Sequence, residues 1–321
     1  MKSDNQPARA TQALTDQAAR ATDAPTCLPP DRPVRAPSAV LPAGSTDCHC
    51  HVFDDPDRYP LVHPRTYTPA PAPLKDYMAM CKSVGLDRTV QVNASVYGFD
   101  NRITLDTIAA LGQERARGVA GVAPEISNAE LHALHDGGMR GLRLSTHVKG
   151  YGGTQLIHTL GARVAPLGWH VQVHVAHAAE LAELERDLMR SPSALVFDHL
   201  GCVLGTEGVG QPGFQALLRI LRQRDDCWVK VSSWYRRSSV AHGHEDMRPF
   251  VEALLDARCD RMLFGTNWPH PNLFAPQAAP SDADLIDTFL NWVPDPAARQ
   301  AILVDNPQLL YGFASTRPDT P

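Results

Sequence analysis

Two histidines separated by one residue lie in the segment 46–53, which reads TDCHCHVF and has a β-prone composition. Side chains two residues apart on a strand point to the same face, so His49 and His51 are expected to converge on one point. Paired imidazoles of this kind can hold a metal ion or transfer a proton. An isolated pair is equally compatible with ordinary buried polar groups, so its meaning depends on which other side chains reach the same point.

Histidines also end two later β-prone segments: His174 ends residues 169–174, and His199 ends residues 195–199. The carboxyl ends of parallel strands in a barrel share one rim, so we expect all four imidazoles there. Neutral imidazoles can bind one divalent metal such as zinc. Without metal, they can donate hydrogen bonds to a carbonyl oxygen and shuttle a proton. The spacing leaves both chemistries open, and the expected metal ligands are His49, His51, His174 and His199.

Cationic side chains form a second group at the same predicted rim. Arg143 ends one β-prone segment, Lys149 lies in the loop after it, and Arg236 follows another such segment. An arginine at a barrel mouth can hold a carboxylate or a sulfonate through paired N–H donors. These positions predict an anionic substrate, with solvated surface charge as the alternative.

The elements that must position these residues alternate along the chain from residue 45 onward. Eight strands separated by helices are typical of a parallel βα array, and the length suits closure into a (β/α)8 TIM barrel. An open doubly wound sheet is the alternative, but no Gly-x-Gly-x-x-Gly turn follows the first strand. The predicted strands are 47–53, 89–93, 119–123, 141–145, 170–175, 194–198, 228–232 and 262–265. The predicted helices are 74–84, 101–115, 128–136, 154–164, 178–189, 214–223, 246–257, 282–292 and 296–304.

Composition sets the domain organisation and narrows the partners. Residues 1–44 contain few large apolar side chains, so they are predicted to form a disordered N-terminal extension to a barrel domain at 45–321. A net charge of −5 argues against a nucleic-acid partner and for a small molecule. No apolar run suggests a signal peptide or membrane span, and seven scattered cysteines suggest a reducing compartment, so a cytoplasmic location is expected.

The chain from about Thr46 to Phe313 resembles the amidohydrolase superfamily, in the branch of 2-pyrone-4,6-dicarboxylate lactonase and 4-sulfomuconolactone hydrolase. The matching segments are 47–53, 91–95, 138–143, 198–201 and 265–272. The resemblance implies hydrolysis of a lactone in bacterial breakdown of aromatic acids, without a required metal. It assigns polarisation of the lactone carbonyl to His49, His51 and His199. It assigns substrate contacts to Tyr67, Ser95, Arg143, Lys149, Arg236 and Asn272.

Three positions depart from the pyrone lactonase pattern. Asn267 stands where the pattern has an aspartate that acts as base, and a neutral amide cannot take a proton from water near neutral pH. His174 stands in place of a tyrosine, and Cys202 in place of an arginine. The expected basicity therefore comes from a metal-bound hydroxide or a histidine, or else the chain is an inactive or substrate-trapping variant.

The altered anion contacts favour 4-sulfomuconolactone as substrate, with maleylacetate and sulfite as products. The alternatives are 2-pyrone-4,6-dicarboxylate itself, or the chemistry of a related decarboxylase or sugar-lactone isomerase.

Overall fold

The structure, a computed structural model, describes residues 24–32, 34–148 and 150–315. Eight parallel strands follow one another in the order β1 to β8, and each pairs with the next in the chain. They are β1 Thr46–Cys50, β2 Arg88–Val92, β3 Ala116–Ala120, β4 Met139–Ser145, β5 His170–His174, β6 Ala194–Phe197, β7 Cys227–Val231 and β8 Met262–Phe264. The predicted (β/α)8 barrel is confirmed.

Helices connect the strands and surround the barrel. They are α1 Leu74–Val84, α2 Arg102–Leu111, α3 Asn128–Asp136, α4 Ile157–Val164, α5 Ala179–Met189, α6 Pro212–Gln223, α7 Arg248–Arg258, α8 Asp282–Trp292, α9 Pro296–Gln300 and α10 Asn306–Tyr311. The predicted last helix differs from the structure, because a π-helical turn, Ala301–Asp305, separates α9 from α10. None of the described helices has the length and apolar character needed to cross a bilayer.

The barrel closes through residues that follow β8. The Asn267 backbone N–H donates to the His49 carbonyl at 2.7 Å, and the His51 N–H donates to the Trp268 carbonyl at 2.8 Å. The buried Asp47 carboxylate adds to this closure by accepting from the backbone N–H and the hydroxyl of Thr266. The first strand, which carries the histidine pair, is therefore fixed directly against the segment that carries Asn267.

Residues 24–44 differ from the disorder predicted for the extension, as far as the structure describes them. Cys27 and Leu41 are both buried, and the Cys27 N–H donates to the Thr68 carbonyl at 2.8 Å. Arg35 pairs with Asp287 at 2.9 Å. A few apolar anchors and backbone hydrogen bonds can hold a segment whose average composition predicts disorder. Residues 1–23, the rest of the predicted extension, lie outside the described residues.

Candidate active site

The turns after β6, β7 and β8 present the polar residues of the rim. His199, Ser233 and Asn267 have φ angles of 52°, 57° and 61°, in the left-handed region that residues other than glycine rarely adopt. Such backbone conformations cluster at functional sites, where the surrounding structure holds them in place. The chain leaves the sheet at these turns, so β6, β7 and β8 each end one residue earlier than predicted.

The four predicted histidines lie together at this rim. The ring centroid of His49 lies 5.1 Å from that of His51 and 4.7 Å from that of His199. The ring centroid of His174 lies 5.4 Å from that of His199. All four are buried, and burial lowers the pKa of each, to about 3 for His51. The site therefore contains four neutral imidazoles at neutral pH.

Hydrogen bonds to the Nδ1 atoms indicate which nitrogen carries the proton. His51 Nδ1 lies 2.7 Å from the Val92 carbonyl, which can only accept, so Nε2 carries a lone pair. His174 Nδ1 lies 3.1 Å from Ser145 Oγ, which already accepts from the backbone N–H groups of His147 and Val148. The Ser145 hydroxyl proton is thus free to donate to His174, which leaves an N–H donor on Nε2.

Asp198 is the centre of a buried charge network beneath the histidines. Its Oδ2 accepts from Arg143 Nε at 2.8 Å and from Gln172 Nε2 at 3.0 Å, and Arg143 Nη2 lies 2.7 Å away. Burial would raise the pKa of this carboxyl, but the charges of Arg143 and Lys230 outweigh burial and hold it well below its usual range. Asp198 is therefore a carboxylate at neutral pH.

Lys230 lies directly below His49 in the barrel interior. Its Nζ donates to Gln172 Oε1 at 2.6 Å and lies 3.4 Å from His49 Nδ1, while Asp198 Oδ1 lies 3.2 Å from the same nitrogen. The Asp198 contact lacks the alignment of a hydrogen bond, since Oδ1 has no hydrogen-bond partner among the described residues. Because an ammonium can only donate, we place the His49 proton on Nε2, as in His174.

A cavity above the histidines brings together most of the residues expected to bind substrate. Lys149 lies outside the described residues, and His49 lies beneath the cavity rather than in its wall. His147, Val148 and Pro271 also contribute to the wall and were not predicted. The expected residues that line the cavity are Tyr67, Ser95, Arg143, Arg236, Asn272, His51, His174, His199 and Asn267.

The two arginines at this cavity differ in how their charge is balanced. Arg143 is bound to Asp198 by two nitrogen atoms and lies over the Tyr151 ring. Arg236 donates to Ser233 Oγ at 2.6 Å and to the Pro271 carbonyl at 3.1 Å. Within the described part of the chain, no carboxylate pairs with Arg236. Its positive charge is therefore available to an anionic ligand, whereas that of Arg143 is largely neutralised.

Asn267 is held from behind by a chain of polar groups. Its Nδ2 donates to Ser233 Oγ at 3.2 Å and to Tyr235 Oη at 3.0 Å, so its carbonyl oxygen is left for the cavity. Tyr235 Oη lies 2.9 Å from His270 Nδ1, and His270 Nε2 lies 3.3 Å from the buried carboxylate of Asp282. Tyr235 is in the wall of a neighbouring cavity of about 780 Å³.

Sequence reasoning missed the residues that support the rim. Lys230 is a single charged residue inside the apolar strand β7, and that interruption was the available signal. Asp198 directly precedes His199, but nothing local shows that it meets Arg143. Tyr235, His270 and Asp282 are far apart in sequence, so no spacing pattern connects them.

A metal ion would find ligand atoms here but an unfavourable charge balance. Ligand atoms of His49, Asp198 and His199 lie within 4.8 Å of one another, while His51 and His174 fall outside this group. Lys230 and Arg143 already neutralise Asp198, and Arg236 adds a further positive charge. Of the four predicted histidine ligands, only His49 and His199 belong to this group of described residues, and the surrounding positive charges favour an anion over a dication.

The barrel, the rim histidines and the sequence agree on one class: the chain belongs to the amidohydrolase family, whose pattern matches residues 46–313. A 2-pyrone-4,6-dicarboxylate hydrolase of Comamonas testosteroni is 36% identical, with 86% of this chain and 92% of the relative covered. A 4-sulfomuconolactone hydrolase of Hydrogenophaga intermedia is 33% identical, with 90% and 95% covered. A solved structure from Agrobacterium tumefaciens is 27% identical, with a TM-score of 0.77 and 87% and 98% covered.

Proposed function

We propose that this protein hydrolyses the ring ester of a small anionic lactone, with 4-sulfomuconolactone as the leading substrate. The observation that carries the proposal is the presence at one cavity of neutral imidazoles and of an arginine, Arg236, that pairs with no carboxylate of the described residues. Relatives of 36% and 33% identity that are named as hydrolases of two such lactones support the reaction class.

Arg236 gives the cavity its selectivity for an anion. Its guanidinium is held in place by Ser233 and Pro271 while its charge faces no carboxylate of the described chain. A sulfonate or carboxylate of the substrate can accept hydrogen bonds from it and neutralise it. Once held, the lactone is oriented relative to the histidines, which converts hydrolysis into a reaction between positioned groups.

Imidazole N–H groups donate hydrogen bonds to the carbonyl oxygen of the lactone. His174, which lines the cavity, carries its proton on Nε2 under the hydrogen-bond pattern described above, and this atom has no partner among the described residues. His49 also carries its proton on Nε2 but lies beneath the cavity. Donors of this kind stabilise the negative charge that develops on the carbonyl oxygen as water attacks. The Asn267 carbonyl oxygen can accept a hydrogen bond from that water and so fix its position.

Two lactones distinguish the candidate substrates. Purified protein is incubated with 4-sulfomuconolactone or with 2-pyrone-4,6-dicarboxylate, and ring opening is followed together with sulfite release. We expect sulfite and maleylacetate from the first lactone and slower opening of the second, because Cys202 stands where the pyrone lactonase pattern has an arginine. Ring opening of 2-pyrone-4,6-dicarboxylate alone would overturn the choice of substrate, and opening of neither lactone would overturn the proposal.

The same assay tests the role of a metal. The charge balance around Asp198 leads us to propose that hydrolysis does not require one, so activity should persist after chelation. A bound metal would polarise the carbonyl or lower the pKa of water. One zinc per chain by elemental analysis, with activity lost on its removal and restored on its return, would contradict metal independence.

Asn267 supports one alternative, a protein that binds the lactone without turning it over. The amide cannot act as a base, and nothing in the histidine set replaces it at the same position. Turnover that appears only in the Asn267→Asp variant, with tight lactone binding by the natural chain, would establish this alternative.

A further inference from the structure

We propose that Tyr235, ionised against His270 and Asp282, is the proton acceptor that replaces the missing aspartate, with the Asn267 amide relaying the proton. This inference rests on the proposed lactone hydrolysis. It concerns residues from three separate segments: the turn after β7, the loop after β8 and the first turn of α8.

Asp282 begins the chain of groups and requires a cation beside it. The carboxylate is fully buried, and its oxygens have no hydrogen-bond partner among the described residues. It lies in the first turn of α8, where the helix dipole stabilises a negative charge. Among the described residues, the charged neighbour of Asp282 is His270, which is 1% exposed. His270 Nε2 lies 3.3 Å from Asp282 Oδ1. A buried carboxylate needs an opposite charge, which points to an imidazolium at His270.

Tyr235 contacts the other ring nitrogen of that imidazolium. With a proton on each nitrogen, His270 Nδ1 donates to Tyr235 Oη at 2.9 Å. Asn267 Nδ2 donates to the same oxygen at 3.0 Å. Both hydrogen-bond partners of the Tyr235 oxygen are therefore donors, and among the described residues no acceptor pairs with a phenol proton. A neutral phenol would leave its own proton without an acceptor in this group, whereas a phenolate accepts both donors.

The surrounding charges agree with this geometry. Burial opposes ionisation of Tyr235, but the charges of His270 and Arg236 outweigh it and lower the pKa of the phenol. Burial also opposes a charged His270, yet Tyr235 and Asp282 raise its pKa to about 9. These are the charged groups that face the pair, with Asn267 as a neutral donor. A phenolate, an imidazolium and a carboxylate are thus arranged in alternating sign.

The proton transfer follows the same hydrogen bonds. Water gives one proton to the Asn267 carbonyl oxygen while the Asn267 N–H proton passes to the phenolate, and the resulting hydroxide attacks the lactone carbonyl carbon. The ring C–O bond then breaks as the tetrahedral intermediate collapses. The leaving oxygen takes the proton back from Tyr235 by the reverse path, which restores the amide and the phenolate. No oxidant, reductant or further reactant is needed.

Ultraviolet titration of the full chain tests the ionised pair without substrate. We expect one tyrosine to ionise well below the ordinary range for a phenol, and the Tyr235→Phe variant to lose that signal. Tyr311→Phe is the control, because Tyr311 is buried beside His170 at the opposite end of the barrel, where burial raises its pKa. A natural chain in which no tyrosine ionises early would overturn the proposal without relying on any variant.

Kinetics test the proton transfer itself. The rate should rise with pH as Tyr235 ionises and fall as His270 loses its proton near pH 9. Tyr235→Phe should lower kcat by about 100-fold with little change in KM, and should abolish the rising limb. Adding Asn267→Asp to Tyr235→Phe should restore at least about tenfold, because a carboxylate can take the proton directly.

Several outcomes would contradict the relay. Lactone hydrolysis that keeps its kcat and pH profile in Tyr235→Phe would overturn it while leaving the proposed function intact, and so would a folded double variant that shows no recovery. A chain that turns over no lactone but shows the early phenolate would refute the proposed function and the relay, yet not the ionised pair.

Discussion

At the scale of single residues, Asp198 determines how the buried charges of the site are paired. It is fully buried, and it is shared by the guanidinium of Arg143 and the ammonium of Lys230, which lies 3.8 Å from Oδ1. One buried carboxylate balances only one of these two cations, so a net positive charge remains beneath the histidines, which burial keeps neutral. Arg236 adds a further positive charge at the cavity, where an anionic substrate would lie.

Replacing Asp198 should therefore be costly. Asp198→Asn keeps the size of the side chain but leaves two buried cations without a counter-charge, so we expect the free energy of unfolding to fall by about 3 kcal/mol. Denaturant titration measures this loss. Glu185→Gln is the control, because the Glu185–Arg219 pair has similarly good geometry but lies on the surface, and its loss should stay below about 1 kcal/mol. Equal losses for the two variants would contradict the role given to Asp198.

At the scale of elements, the junction between β8 and β1 decides where the histidines stand. Gly265 directly follows β8 beside His49, and a Cβ atom there would lie 2.7 Å from the His49 Cβ and 3.0 Å from its backbone nitrogen. The two strands can approach this closely because residue 265 has no side chain. The position of His49 over Lys230 thus depends on a glycine in the neighbouring element.

Gly265→Ala should disturb both stability and activity. The added methyl group meets backbone atoms that cannot rotate away, so we expect a loss of about 1–3 kcal/mol in unfolding free energy and a lower kcat as His49 shifts. Gly210→Ala provides the comparison, because the space around Gly210 is open and its change should stay within about 0.5 kcal/mol. Unchanged kinetics in a folded Gly265→Ala protein would show that the junction does not set the histidine geometry.

For the whole molecule, the N-terminal segment, residues 24–32 and 34–44, connects the rim to the outer face of the barrel. The Leu28 N–H donates to the Leu273 carbonyl at 2.9 Å, and the Asn272 N–H donates to Cys27 Sγ at 3.1 Å. Farther along, Leu41 packs against Gly85 at the carboxyl end of α1. The segment therefore supports the loop that carries Asn272 while it is itself anchored away from the site.

Two adjacent residues of this segment test whether it is docked. Leu41 is 6% exposed and Val40 is 98% exposed. Leu41→Ala should lower the unfolding free energy by about 2 kcal/mol through lost apolar burial, and Val40→Ala should leave it unchanged. Thermal and denaturant unfolding of the two variants supply the measurement. If both alanine variants behaved alike, the segment would not be packed against the barrel.

The sequence by itself determined the barrel and the location of its chemistry. Alternation along strands and helical spacing are local properties of the backbone, so the order of the eight strands and the positions of His174 and His199 at strand ends followed from them. The resemblance to amidohydrolases, now shown by the family match, came from short segments around those same strand ends. The role of each site residue stays a prediction.

Only the tertiary structure decided how the charges are paired. Arg143 lines the cavity, where its substrate contact stays a prediction, and Asp198 in the turn after β6 binds it, whereas no carboxylate of the described residues pairs with Arg236. In the sequence, Asn267 only marks the absence of a base. The fold places Tyr235, His270 and Asp282 behind it, where we propose that they accept the proton. Periodicity records which face a side chain occupies, whereas pairing depends on which side chains from distant segments meet, and no local pattern encodes that.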